Sequence, residues 1–100
     1  MQVGAKAVKK DWSVYILKCS DGSLYTGVTT DTARRLAEHN GDHPGRGARY
    51  TRARRPVQLV WQEAGHDRGS ALRREYAVKR LRRSQKEQLL AAMVSSLADM

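Results

Sequence analysis

A chain of 100 residues and 11.3 kDa has room for one modest hydrophobic core and not for two. With 29% charged and 40% apolar residues it has the composition of a folded protein rather than of a disordered chain. Lys and Arg number 19 against 10 Asp and Glu, which leaves a formal charge of +9 and a pI near 10.3, a field that draws polyanions.

The placement of the charge narrows the partner. Arg34, Arg35, Arg46, Arg49, Arg52, Arg54 and Arg55 fall between positions 34 and 55, opposed only by Glu38 and Asp42. A second run holds Arg68, Arg73, Arg74, Lys79, Arg80, Arg82, Arg83 and Lys86 against Asp67 and Glu75. Arginine dominates both, and its planar guanidinium matches phosphate oxygens better than the point charge of lysine does. One such run is ordinarily a solvated face; two in one small chain favour nucleic acid. Cys19 stands alone, so it has no partner for a disulfide or a zinc cage and suits a reducing cytoplasm. Residues 1–11 read as a flexible basic tail followed by no long apolar stretch, hence neither a signal peptide nor a membrane anchor. Residues 12–98 read as the folded domain.

Along the chain, Val14-Tyr15-Ile16-Leu17 is β-branched and aromatic and stops at Ser20-Asp21-Gly22-Ser23. Leu24-Tyr25-Thr26-Gly27-Val28 follows with the same character, so the two predict an antiparallel hairpin closed at Asp21-Gly22. Asp31 is a suitable N-cap for a first helix with Ala33, Leu36, Ala37 and Asn40 at helical spacing, ended by Gly41. Residues 41–55 show no apolar period and read as a basic surface loop, with a third strand starting at Pro56. Asp67 or Ser70 caps a second helix whose inward stripe is Leu72, Tyr76, Ala77 and Leu81. Ser84 with Glu87 forms a capping box that opens a third helix, continued by Lys86, Leu89, Leu90, Met93, Val94 and Leu97. The order ββαβαα predicts an α+β fold, a small, mainly antiparallel three-stranded sheet flanked by helices.

Val14-Tyr15-Ile16 in the first strand and Tyr25-Thr26-Gly27 in the second resemble the paired signature of the GIY-YIG nuclease superfamily. Val14 stands where the first tripeptide has glycine, and Thr26 where the second has isoleucine. Arg35-Leu36 falls where that superfamily keeps its catalytic arginine, and Glu75 where it keeps its metal-binding carboxylate. The segments 33–40, 47–52 and 72–76 are similar to the small stand-alone bacterial branch, the YhbQ-like proteins. Some superfamily members add an asparagine after the glutamate helix; this sequence has none beyond Asn40.

The resemblance implies a metal-dependent nuclease acting on nucleic acid, DNA in preference to RNA, structure-selective in repair or processing, with one Mg²⁺ or Mn²⁺ and no nucleotide cofactor. Glu75 would hold the ion, Arg35 would clamp the scissile phosphate, and Tyr15 would act as base if nearby cations stabilised its phenolate. Tyr25 would orient water or a phosphate oxygen, Gly27 would let substrate approach the strand, and His39, one turn after Arg35, would relay a proton or touch phosphate. Arg34, Arg46, Arg49, Arg52, Arg54 and Lys79 would grip the backbone, with Tyr50 as a stacking surface.

Each assignment has a plainer alternative. Tyr15 and Tyr25 suit cross-strand packing, Glu75 suits an exposed pair with Lys79, His39 suits a helix C-terminal cation, and Gly27 suits a bulge. A non-catalytic nucleic-acid-binding module or an adaptor with the same fold is the rival reading of the whole chain. Cys19 is expected to be dispensable for chemistry.

Overall fold

A computed structural model describes residues 9–42 and 45–98; most of the expected basic tail lies outside them. Strand β1 (Trp12–Lys18) is the centre of a three-stranded sheet ordered β2-β1-β3, with β2 (Leu24–Thr29) and β3 (Gln58–His66) both antiparallel to it. The expected α+β architecture and hairpin are those observed. Val14, Tyr15, Ile16 and Leu17 are all at most 2% exposed, because both faces of β1 are covered, and a strand buried on both sides reads as a continuous apolar run.

Alternation along β1 divides the core in two. Val14 and Ile16 join Trp61, Ala71 and Val78, packed by Leu89, Leu90 and Met93. Tyr15 and Leu17 face the other way, with Cys19, Val57, Tyr25, Leu36 and Leu59. The buried position of Cys19 gives it a packing role.

Helix α1 (Thr32–His39) starts as expected: the Asp31 carboxylate accepts the Arg34 N–H at 3.0 Å. It ends before Gly41, whose φ of +92° suits a residue without Cβ. Its buried residues are Glu38 and His39, whereas Ala33, assigned to the apolar stripe, is exposed.

The segment 41–55 is not simply a loop. It contains a helical turn, α2 (Arg49–Arg52), whose Thr51 is fully buried. An apolar period could not reveal this turn, because a hydroxyl is what anchors it. β3 then begins at Gln58 rather than at Pro56. The reason is that Val57 spends its backbone elsewhere: its N–H donates to Asn40 Oδ1 at 2.8 Å and its carbonyl accepts from Asn40 Nδ2 at 3.0 Å.

Helix α3 (Arg68–Lys79) is capped by Asp67, which accepts the Ser70 N–H at 2.8 Å. Its inward stripe is Ala71 and Val78, with Arg74 and Glu75 half-buried between them. Leu72 and Tyr76 are 39% and 53% exposed, so the expected stripe is rotated, and the larger apolar side chains give way to small ones that let the helix sit close to the sheet. The box that opens α4 (Arg83–Ala98) is also displaced: Gln85 Oε1 accepts the Arg82 N–H at 2.9 Å, and Glu87 pairs with Arg83 instead. Val94 is exposed, and the Leu97 side chain lies outside the description. Among the described residues no helix is long and apolar enough to cross a membrane.

The Asn40 clamp generates a prediction. Asn40→Ala leaves both backbone groups of Val57 without their partners, so it is expected to lower unfolding stability by about 1–3 kcal/mol in urea titrations. An unchanged midpoint would show that water replaces the amide at no cost.

Candidate active site

The face of the sheet that carries Tyr15 and Leu17 is closed by α1 and α2, and it gathers an aromatic cluster. Tyr15 is 2% exposed and His39 is 0% exposed. Their side chains meet in a hydrogen bond of 2.8 Å between Tyr15 Oη and His39 Nε2. Tyr25 lies against both rings, with centroids 6.4 Å from Tyr15 and 5.1 Å from His39. Tyr50 stacks on Tyr25 at 5.9 Å with 26° between planes and is 39% exposed.

Gly27 is the cross-strand partner of Tyr15. A Cβ built on it would come within 2.4 Å of Tyr15 Oη and 2.6 Å of Cζ. The glycine therefore makes room for the Tyr15 phenol, not for substrate, and its buried position corrects the expectation of a nucleic-acid contact.

His39 is likewise corrected on two counts. Burial, then the Arg35 guanidinium, lower its pKa from 6.5 to about 4, so it is a neutral imidazole rather than a helix-terminal cation. Full burial also denies it any direct touch on phosphate. Its other nitrogen, Nδ1, is 2.8 Å from Thr51 Oγ1.

Arg35 is anchored through Nη1 on Glu38 Oε1 at 2.9 Å and on the carbonyl of Arg46. Its side chain is 26% exposed, which leaves part of the fork facing out. That anchoring hydrogen bond holds the Glu38 carboxyl below the usual range. Burial pushes the Tyr15 hydroxyl up to about 12; a hydrogen bond from Arg35, and then its charge, oppose this, while Tyr25 and Glu75 add to it. Burial thus outweighs the cation expected to stabilise a phenolate.

Glu75 is 19% exposed at its side chain and sits 3.1 Å from Lys79 Nζ. The ammonium of Lys79, its side chain 54% exposed, is thus paired with the carboxylate at the surface. Among the described residues no three His, Cys, Asp or Glu side chains come together as a metal cage. A lone carboxylate is nonetheless a fitting donor for an ion such as Mg²⁺, which keeps most of its waters and takes its remaining ligands from substrate phosphate.

The basic side chains divide into two groups. Arg34, Arg46, Arg49 and Arg52 are exposed. Arg54 is a strut: it pairs with Asp21 at 3.0 Å, donates to the Tyr50 carbonyl at 2.9 Å and lies 4.0 Å over the Tyr50 ring. Sequence reasoning missed Glu38, Thr51 and Arg55, whose Nε donates to the His39 carbonyl at 2.6 Å. Only Glu38, three residues after Arg35, carries a spacing that could have flagged it.

Residues 11–88 match the family described as the GIY-YIG catalytic domain. The chain belongs to the GIY-YIG family. It is similar to UPF0213 protein DP2720 of Desulfotalea psychrophila, 54% identical over 81% of this chain and 72% of that protein. It is equally similar, at 54% identity, to UPF0213 protein VNG_2274C of Halobacterium salinarum, over 76% of this chain and 95% of the relative, so relatives occur in both bacteria and archaea. The solution structure of UPF0213 protein BH0048 from Bacillus halodurans is 49% identical, with a TM-score of 0.51 over 81% of this chain and 83% of that one. That of EF2693 from E. faecalis is 46% identical, with a TM-score of 0.55 over 86% and 88%. As a GIY-YIG family member the chain belongs to a family of nucleases, whose substrate class is nucleic acid.

Two tests follow from the geometry. Gly27→Ala forces the phenol away from His39, and overpacking of this kind costs about 1–3 kcal/mol; the tyrosine-to-histidine hydrogen bond should be lost in the variant's crystal structure. An unmoved Tyr15 would contradict the clash. His39 supplies a pH test. Its folded pKa is depressed, so its contribution is complete above pH 6.5 and falls away as pH drops toward about 4, a loss of roughly 3 kcal/mol. Urea midpoints should decline across that window in the native chain, and His39→Gln should flatten the decline between pH 6.5 and 4.5. A native His39 ring titrating near 6.5 by NMR would overturn this.

Proposed function

We propose that this chain is a metal-dependent nuclease that hydrolyses phosphodiester bonds, in DNA in preference to RNA and at branched or otherwise irregular structures in preference to plain duplex. The observation that carries the reading is the buried hydrogen bond of Tyr15 with neutral His39, on a sheet face closed by the helix that carries Arg35. A buried tyrosine hydrogen-bonded to a histidine, both with shifted pKa values, is a recurrent mark of a functional site, and the hydrogen bond gives the tyrosine proton a route out.

In the proposed reaction water attacks phosphorus in line, forming one P–O bond as the bond to the leaving oxygen breaks. Tyr15 Oη takes the proton from water while its own proton passes to His39 Nε2. A free phenolate, which burial disfavours, never accumulates. Arg35 offers its outward donors to the phosphate charge as it builds. Tyr25 borders the same cluster and orients the water or a phosphate oxygen. Glu75 would hold Mg²⁺ or Mn²⁺, which supplies positive charge to the phosphate and leaving oxygens. The exposed Arg34, Arg46, Arg49 and Arg52 would follow the sugar-phosphate backbone, and the outer face of Tyr50 would meet a base. The leaving oxygen is protonated from solvent.

A rival reading, a binding module without turnover, draws support from the Glu75–Lys79 pair at 3.1 Å, because an i to i+4 pair of this kind is complete without a metal. Glu75→Ala separates the two. Labelled single-stranded, duplex and branched DNA and RNA are each incubated with Mg²⁺, Mn²⁺ or EDTA. The nuclease reading expects cleavage to collapse by at least ~10²- to 10³-fold, with affinity level or higher because an acid amid phosphates is gone. The rival expects no turnover in either protein and a stability change of a few tenths of a kcal/mol. Folded Glu75→Ala protein that cuts at the native rate would refute the site.

A further inference from the structure

We propose that Thr51 is a positioning residue for this cleavage: its hydroxyl fixes His39 as the Nδ1–H tautomer, so that Nε2 stays bare to receive the Tyr15 proton. The catalytic part of the inference rests on the nuclease reading; the tautomer part does not.

Donor and acceptor capacities set the polarity of this chain of hydrogen bonds. Thr51 is 0% exposed, and its Oγ1 has two partners, the Ala48 carbonyl at 3.0 Å and His39 Nδ1 at 2.8 Å. A carbonyl only accepts, so the 3.0 Å approach to Ala48, which also accepts the Arg52 N–H at 3.1 Å, is a hydrogen bond only with Thr51 as its donor, and the lone pairs of Oγ1 then face the imidazole. Nδ1 must then donate. A neutral imidazole has a single N–H, which leaves Nε2 as an acceptor for the Tyr15 O–H at 2.8 Å. The hydrogen bonds run in one direction, from Tyr15 to His39 to Thr51 to Ala48.

The opposite polarity costs more. Were Thr51 to donate to Nδ1, its bond to Ala48 would be lost and Nε2–H would point at Tyr15 Oη. The Tyr15 hydrogen would then need another acceptor, and Arg35 beside it offers only donors. Among the described residues no buried side-chain oxygen or nitrogen lacks a partner, and the first polarity gives each of the three contacts one donor and one acceptor. In the wrong tautomer Nε2 carries a hydrogen and cannot take a proton from Tyr15, which is how an orienting partner controls a base it touches.

The position of Thr51 gives the device a further consequence. It belongs to the turn that also supplies the Arg46 carbonyl to Arg35 from its approach. One short segment therefore aligns both the arginine and the histidine, and its exposed Arg49 and Arg52 flank Thr51 on the outer side of the turn.

The test compares Thr51→Val, which keeps the shape and deletes the hydroxyl, with Thr51→Ser, which restores it. The ¹⁵N shifts of the His39 ring are read in each protein without substrate or metal. The native chain and Thr51→Ser should show a pyrrole-type Nδ1 and a pyridine-type Nε2, and Thr51→Val should show a mixture or the reverse. With branched DNA and Mg²⁺, Thr51→Val should lose about 10- to 100-fold in kcat, the range typical of outer orienting partners, with little change in KM, and Thr51→Ser should recover most of it. Nε2–H in the native chain would overturn the proposal even if the valine variant did not fold. So would a Thr51→Val that retains the Nδ1–H tautomer at the native kcat, or equal losses in Val and Ser. Native protein with the expected tautomer but no cleavage of any substrate would sink the nuclease reading and the catalytic role of Thr51 with it, leaving only the tautomer assignment.

Discussion

The hydrogen bond from Tyr15 to His39 joins residues 24 apart in sequence, and most of the local architecture serves to hold it. Gly27 vacates the space for the phenol. Arg55 Nε takes the His39 carbonyl at 2.6 Å, and its guanidinium threads between Gly41 and Gly47, where an added Cβ would stand 2.8 Å and 3.2 Å from its nitrogens. Asn40, the next residue after His39, pins the start of β3 through both of its amide atoms. A neutral pair in low dielectric is strong when every polar atom is satisfied and costly when one is not. The surrounding glycines, arginine and threonine are therefore constrained by two buried side chains, and a substitution at any of them acts on the same contact.

This dependence explains how the positive charge is used. The chain carries +9, yet much of its arginine acts as internal bracing rather than as a free electrostatic surface. Arg54 ties the hairpin turn at Asp21 to α2, Arg74 holds Glu63 at 3.0 Å, and Arg83 reaches from α4 to the Gly22 carbonyl at 3.0 Å. Guanidinium forks suit this work because they bind several acceptors at once in fixed directions. Exposed pairs contribute little stability individually, so their service is to set orientation. What is left over for a polyanion includes the exposed Arg34, Arg46, Arg49 and Arg52 on and between α1 and α2, and the exposed Arg68, Arg73, Arg80 and Arg82 on and beside α3.

Strand β1 and the hairpin were legible because a doubly covered strand writes its burial directly into composition. Asp31 and Asp67 were legible as caps because a short carboxylate before a helix has a local geometric purpose. The failures share a cause. Helix α3 lies on the sheet through Ala71 and Val78, and a size-blind apolar pattern cannot tell that Leu72 and Tyr76 face outward. The turn at Arg49–Arg52 is held by the Thr51 hydroxyl, which has no hydrophobic signature at all. The tyrosines, Arg35 and Glu75 were found through motif order, while Glu38 and Thr51 lie inside the similar segments 33–40 and 47–52 but carry contacts that composition does not show.

Glu75 shows where sequence reasoning and structural reasoning meet. Spacing alone makes it the partner of Lys79, and that pair forms at 3.1 Å. The same helix register turns its carboxylate inward between Ala71 and Val78, leaving its side chain 19% exposed against 54% for Lys79. The partners are thus unequal: the lysine can swing into water at small cost, whereas the carboxylate stays where the backbone puts it, near enough to Tyr15 to raise its pKa. The proposed metal role of Glu75 therefore requires only that the exposed ammonium leave a carboxylate whose place is set by the helix.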